Sequence, residues 1–382
     1  MIRELHDHVK RAYSSVLGRA RADLPTPALI LDLDLARNNL RLMAERMKTM
    51  HAQLRPHIKV HKCAELALLQ VQAGAIGVCT ATVWEGIVIL RAGIEDVLIA
   101  NEVCGKDKIQ ALALASRQGR LTVAVDNPRN CDELDQAVRA AGGRLDVLIE
   151  VDVGMQRGGV RSPEKAVALA RHLNTLPGLR FRGVQGYEGH CMLEPDRETR
   201  IRKARKAMDE LEETIDSLRL AGFYCEVVSA GGTGTYDITG SDPRVTEIQA
   251  GSYVFMDMFH GNLVPGFSQA LTVLGTVVIH HGDTIVLDCG RKSISIDFVP
   301  PVMVPYPFYP ASFFAEEHAL FDVDERCRLQ LGDTVELVPA YAPSTVNLYD
   351  AYHVVEGGVV TEIWPVIPRG PGHLGILTGG SS

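Results

Sequence analysis

Between Arg55 and Cys63 the chain reads Arg-Pro-His-Ile-Lys-Val-His-Lys-Cys, placing Lys59 and Lys62 beside His57 and His61. A lysine flanked by Ile58 and Val60 is partly desolvated, which lowers the pKa of its amine and frees it for Schiff-base chemistry. Taken alone, the same run also reads as a solvated basic loop. A second cluster lies further along, in Ser229-Ala-Gly-Gly-Thr-Gly-Thr235 and in Gln249-Ala-Gly-Ser-Tyr253. Glycines let backbone N–H groups approach an anion closely, and Ser or Thr hydroxyls add donors. An activated lysine plus a phosphate cradle, without a Walker or dinucleotide signature, points to pyridoxal 5′-phosphate. Further polar residues are Asp152, Gln156 and Arg157 in VDVGMQRGG, and Tyr187, Glu188 and His190 in GYEGH. An arginine suits the phenolate oxygen of such a cofactor, and a tyrosine suits its ring. Asp152 reads equally as half of an Asp–Arg pair on the rim of the fold.

The elements that must position these groups follow one grammar up to about residue 260. Short apolar runs at 54–58, 76–80, 96–100, 121–125, 145–151, 181–187, 225–230 and 245–249 read as strands. Stretches of helical period separate nearly all of them. Runs of that kind suit strands buried on both faces, as in a parallel sheet. Eight βα units predict an α/β fold, a closed (β/α)₈ TIM barrel, with function at the C-terminal strand ends. The lysine then follows strand one, and the glycine-rich stretches follow strands seven and eight, where barrel phosphate sites recur.

After residue 260 the runs 271–280, 283–287, 292–299, 334–339, 351–355 and 359–364 read as strands with turns between them, predicting a mainly β C-terminal domain. Pro300–Pro310 reads as a connection, because proline supports neither ladder nor helix. The expected division is an N-terminal segment at 1–35, a barrel at 36–262 and a β domain at 263–382. The strand at 27–33 is a candidate for either domain.

Composition narrows the class. The 382 residues are 46% hydrophobic and 23% charged, and 39 basic residues against 47 acidic ones give a formal charge of −8. That balance predicts neither a nucleic-acid nor a membrane partner. No apolar run reaches the roughly 18–20 residues of a membrane helix, and residues 1–17 lack the apolar stretch of a signal peptide. Eight scattered cysteines without a CxxC predict reduced thiols and a cytoplasmic enzyme.

Taken together, PTPALILDLD, RPHIKVHK, CTATVWEG, VDVGMQRGGV, SAGGTGTYD, EIQAGSYVFMD and FAEEHALF resemble the D-threonine aldolase and D-serine dehydratase family. These are fold-type-III pyridoxal phosphate enzymes related in architecture to alanine racemase. The resemblance implies that Lys59 is the Schiff-base lysine and that Arg157 and Tyr187 line the cofactor ring. It implies that Gly232, Thr233, Gly251, Ser252 and Tyr253 hold the phosphate, and that the enzyme is a homodimer. One stretch departs from the pattern. Where metal-dependent members carry a histidine and then an aspartate or cysteine, this chain has Tyr341 and Pro343, and Tyr349 replaces a later histidine. Proline's ring has no donor atom and a neutral tyrosine is a poor ligand, so the divalent-metal site is expected to be missing. His190, His318 and His353 show no ligand spacing.

Alanine racemase is known for a tyrosine from its β domain facing the lysine. Tyr341 is therefore expected as a general acid/base opposite Lys59, assisted by His318 or His61. The first functional expectation is a lyase cleaving a D-configured β-hydroxy-α-amino acid by retro-aldol chemistry. The alternatives are a metal-independent racemase or epimerase using Lys59 and Tyr341, and a D-serine dehydratase-like ammonia-lyase. A non-catalytic carrier of pyridoxal phosphate fits less well, since such proteins lack a β domain.

Overall fold

The computed structural model describes residues 2–370; the Gly-Gly-Ser-Ser tract at 379–382 lies outside them. The chain divides into two compact units. One holds the residues up to Leu42, Val60–Glu65 and the chain from Ser252 on; the other is built from Met43–Lys59 and Leu66–Gly251.

In the first unit, strand β1 (Ala28–Asp32) is almost fully buried. The second unit is the barrel, with β2 (Gln53–Leu54), β3 (Val78–Thr80), β4 (Asp96–Ile99), β5 (Arg120–Val125), β6 (Leu145–Glu150), β7 (Leu179–Gly186), β8 (Val227–Ala230) and β9 (Glu247–Ile248). All pair in parallel, in the order β2-β9-β8-β7-β6-β5-β4-β3. A parallel bridge from His57 to Cys79 closes the ring, with Cys79 N–H donating to the Pro56 carbonyl at 2.8 Å. The eight runs expected from the sequence are thus the eight barrel strands. Cys79, Leu98 and Leu148 form a buried cluster in this unit.

The helices start where local chemistry permits. Asn127 caps the helix Pro128–Ala140 by accepting from the Arg129 and Asn130 N–H groups, and Ser162 caps Pro163–Leu173. In both, proline takes the first turn, where its missing N–H is not needed. Thr82 caps Val83–Arg91 by accepting from Glu85 N–H, and Glu85 reaches back to Ala81 N–H at 2.7 Å. This resembles a capping box, except that the returning bond goes to the residue before the N-cap.

The β unit continues with β10 (Leu271–His280), β11 (Thr284–Leu287), β12 (Val302–Met303), β13 (Ala311–Phe314), β14 (Ala319–Asp322), β15 (Thr334–Val338), β16 (Ala351–Glu356) and β17 (Val359–Pro365). β1 joins this sheet, antiparallel to β10 and parallel to β16. Its core includes Val16, Leu24, Ala28, Ile30, Leu274, Val355 and Ile363.

Two expectations here need correction. Residues 292–299 alternate like a strand but form turns: Ser293 and Ile294 N–H both donate to the Gly290 carbonyl. Ser295 Oγ donates to Asp297, and Phe298 takes φ +68°. Local side-chain bonds of this kind compete with a ladder. Conversely, the proline-rich connection contributes β12, and β13 and β14 form an unforeseen hairpin beyond it. All eight cysteines are free thiols. Among the described residues, no helix is long and apolar enough to cross a membrane.

Candidate active site

The C-terminal strand ends of the barrel gather the sequence-marked groups of that unit. Lys59 sits in a 3₁₀ turn, Ile58–Val60, with its N–H 3.4 Å from His57 Nδ1. Its Nζ lies 5.9 Å from the centre of the Tyr187 ring, and the Arg157 guanidinium lies 5.7 Å from the same centre. One aromatic ring therefore has two cations beside it, an arrangement favoured by its quadrupole.

Arg157 is aimed by its loop. Asp152 accepts from Gly154 N–H at 3.2 Å and from Gln156 N–H at 2.8 Å, and pairs with Arg161 at 3.3 Å. Gln156 adopts φ +57°, a left-handed conformation uncommon outside glycine. Asp152 thus both pairs with an arginine and folds the turn that presents Arg157. Arg157 Nη2 also lies 3.8 Å from Glu150 Oε1.

Below this rim runs a buried polar chain that sequence reasoning missed. Gln185 Nε2 donates to Glu150, and Gln249 Nε2 donates to Gln185 Oε1 at 2.8 Å and to Ser229 Oγ at 2.9 Å. Burial, reinforced by nearby Glu102, pushes the Glu150 carboxyl up to about 8. The available signal was polar residues, Glu150 and Gln185, closing strands that are otherwise apolar.

The glycine-rich loop after β8 is anchored from β7. Glu188 accepts from Gly231 N–H at 3.0 Å and Thr235 Oγ1 at 2.7 Å. Gly231 takes φ +75°, which a side chain rarely tolerates, and a Cβ on Gly232 would meet the Tyr187 ring at 3.4 Å. The Thr233 hydroxyl is buried without a partner. A glycine loop holding one orphaned hydroxyl beside Tyr187 suits the phosphate end of pyridoxal phosphate. His190 packs under Gly154, whose added Cβ would lie 3.2 Å from its Cε1.

The β unit holds the other sequence-marked residues. Ser252 and Tyr253 are buried in a 3₁₀ turn, and Tyr253 packs on Phe267 at 6.0 Å. His61 is fully buried; its Nδ1 accepts from Cys63 N–H, and its carbonyl accepts from Tyr352 Oη at 2.7 Å. His353 Nδ1 meets the Leu29 carbonyl at 3.1 Å, and burial lowers its pKa. His318 is exposed in the turn between β13 and β14.

Tyr341 precedes the short helix Ala342–Val346, with Pro343 in the helix's first turn. Its ring stacks on His260 at 5.8 Å with an interplanar angle of 19°. His260 Nδ1 lies 2.8 Å from Asp257 Oδ1, and Asp257 Oδ2 accepts from Ala342 N–H at 2.7 Å. Burial, with Asp257 and Asp297 adding to it, pushes the Tyr341 phenol up to about 12. Sequence reasoning missed Asp257 and His260, whose signal was an N-cap aspartate with histidine three residues on. Among the described residues, no three His, Cys, Asp or Glu side chains are grouped to hold a metal ion.

The chain is similar along most of its length to known proteins. The chain matches the family described as alanine racemase, N-terminal domain, over residues 31–258, and that described as putative serine dehydratase domain over residues 270–355. It is 38% identical over 359 residues to D-threonine aldolase of an Arthrobacter species, covering 92% of this chain and 95% of that protein. Over 368 residues it is 33% identical to 3-hydroxy-D-aspartate aldolase of Paracoccus denitrificans strain Pd 1222, covering 93% of this chain and 95% of the relative. The crystal structure of D-threonine aldolase from Filomicrobium marinum matches with a TM-score of 0.88 at 37% identity, covering 92% and 97% of the two chains. The chain belongs to the D-threonine aldolase and D-serine dehydratase family, pyridoxal phosphate-dependent lyases on an alanine racemase-like fold.

Proposed function

We propose that the protein is a lyase for D-configured β-hydroxy-α-amino acids, splitting a D-threonine-like substrate into glycine and an aldehyde. The carrying observation is the rim geometry of the barrel. Lys59 and Arg157 lie beside one Tyr187 ring, and the neighbouring loop keeps a buried, unpartnered Thr233 hydroxyl. Pyridoxal phosphate, when bound, supplies an electron sink for charge developing at Cα.

Lys59 is the amine that holds the cofactor aldehyde. Arg157 stays charged and donates to an anionic ring oxygen, and Tyr187 offers a flat apolar face. Gly232 and Thr233 receive the phosphate; Gly251, Ser252 and Tyr253 join them by their matching sequence positions. Tyr341, with its phenol pushed up to about 12, stays neutral near pH 7. By its matching sequence position it is assigned the general acid/base role, and Asp257 and His260 hold its surroundings fixed. Tyr341 and Pro343 are unsuited to bind a divalent metal, so the reaction is expected to survive EDTA.

A second reading is supported by the same tyrosine. A lysine and a tyrosine, each able to exchange a proton at Cα, would serve a racemase or epimerase. A neutral acid also suits departure of a hydroxyl, as in a dehydratase. Product analysis separates the three. Purified holoenzyme in EDTA, given D-threonine, should yield glycine and acetaldehyde. Oxo acid with ammonia would select the dehydratase, and an altered stereoisomer alone would select the epimerase. Borohydride reduction followed by peptide mapping should label Lys59. Replacing Tyr341 by Phe should lower the rate about 10²–10⁴-fold; a loss under about tenfold with the fold intact would remove Tyr341 from proton transfer.

A further inference from the structure

Glu188 follows Tyr187 at the end of β7 and is fully buried. Its carboxylate takes donors from one short stretch of chain only a few residues long. Oε2 accepts from Gly231 N–H at 3.0 Å, and Oε1 accepts from Thr235 Oγ1 at 2.7 Å and Thr239 Oγ1 at 2.5 Å. Hydroxyls that the sequence offers as phosphate donors are therefore already engaged, Thr235's among them. Gly232 N–H also approaches Thr235 Oγ1, at 3.3 Å. Thr233 differs: the residue is only 3% exposed, and its buried hydroxyl has no partner. A loop with glycines at 231, 232 and 234 has wide conformational freedom, and ordering it on ligand arrival would weaken binding. The carboxylate fixes that loop from behind while leaving one hydroxyl forward.

We propose that Glu188 is a positioning residue for the phosphate end of the cofactor, clamping the 231–239 loop so that Thr233 is preset for the anion. The proposal rests on the pyridoxal phosphate reading above. Glu188 itself touches no phosphate, since a carboxylate repels one. Its effect passes through the hydrogen bonds to Gly231, Thr235 and Thr239.

The test compares pyridoxal phosphate with pyridoxal, which has the same aldehyde and ring but no phosphate. Wild-type apoprotein, Glu188→Ala, Glu188→Gln and Thr239→Val are titrated with each, following absorbance and protein fluorescence. Glu188→Ala should weaken pyridoxal phosphate about 10- to 100-fold, the range expected for orphaned buried donors. Glu188→Gln should weaken it less, because the two hydroxyls can turn to accept. Thr239→Val removes a single donor, keeps the carboxylate, and should cause a loss of about fivefold, as for one hydrogen bond. Pyridoxal affinity should stay within about twofold throughout. Equal losses for both ligands, no loss in any folded variant, or tighter pyridoxal phosphate binding by Glu188→Gln would overturn the proposal. If Glu188→Ala does not fold, Thr239→Val decides. Failure of the wild type to bind pyridoxal phosphate would instead overturn the cofactor reading.

Discussion

At the strand starts of the barrel, Arg55 donates to Glu247 at 2.9 Å and to Asp96 at 2.7 Å. Arg120 reaches Asp96 at 3.3 Å, and Arg182 reaches Asp146 at 2.8 Å. All of these side chains except Asp146 line, together with Leu98, Thr122, Leu148 and Val227, a cavity of about 30 Å³. At the strand ends the inventory is similar but the pairing differs. Arg157 is 49% exposed with its nearest carboxyl oxygen at 3.8 Å, Glu150 is pushed up to about 8, and Thr233 keeps an orphaned hydroxyl. One mouth is filled mainly by opposite charges that pair with each other, with Glu247 Oε1 left without a partner. The other leaves polar groups under-satisfied, as a ligand-binding rim must. The contrast follows the division of (β/α)₈ barrels into a stabilising face and a functional face.

Substitutions at the two mouths should therefore separate activity from stability. Replacing Lys59 by Ala should lower the rate by more than about 10⁴-fold, beyond the loss of an ordinary acid–base group, with little change in melting temperature. A steady-state assay with a melting curve checks both halves, and substantial remaining turnover would relocate the reactive amine. Replacing Glu247 by Ala should do the reverse. It strips one partner from Arg55, only 8% exposed, and should destabilise the fold by about 3–5 kcal/mol. Urea unfolding measures that loss, while kcat of the folded fraction should stay within about twofold, as distant sites act independently.

The smallest effect is a change of slope with pH. A carboxyl whose pKa is raised on folding binds more protons in the native than in the unfolded state. Stability from Glu150 is therefore full below about 4.5 and is lost as pH rises through about 8. Glu150→Gln, neutral at every pH, should match the wild type near pH 4.5 and melt higher above pH 8. Parallel melting curves across that window would show that Glu150 titrates normally and that the strand ends are less desolvated than their burial implies.

How much of this was legible beforehand depended on the range of the signal. The barrel strands were readable because each is a short apolar run broken by capped helices, and those are local properties. That Lys59, Arg157 and Gly232 lie around Tyr187 was readable because each stands in a motif at a predicted strand end. The buried chain Glu150–Gln185–Gln249–Ser229 was not, since its members lie on four different elements and meet only when neighbouring strands align. The hairpin of β13 and β14 was hidden behind prolines, and the strand read at 292–299 failed because serine and aspartate bonds captured its backbone. Asp257 and His260 lay in an unremarked helix start, and their link to Tyr341 spans about eighty residues, from Asp257 to the Ala342 N–H.

The sequence by itself determined the parallel barrel, the β domain that follows it and the family, because periodicity, capping and motif order are written along the chain. Tertiary structure alone decided which hydroxyl of the glycine-rich loop stays free, which carboxyl is desolvated and which aromatic ring lies against Tyr341. Those outcomes depend on burial and on partners brought together across strands, and electrostatic environment is a property of the neighbourhood in space, not of neighbours in sequence.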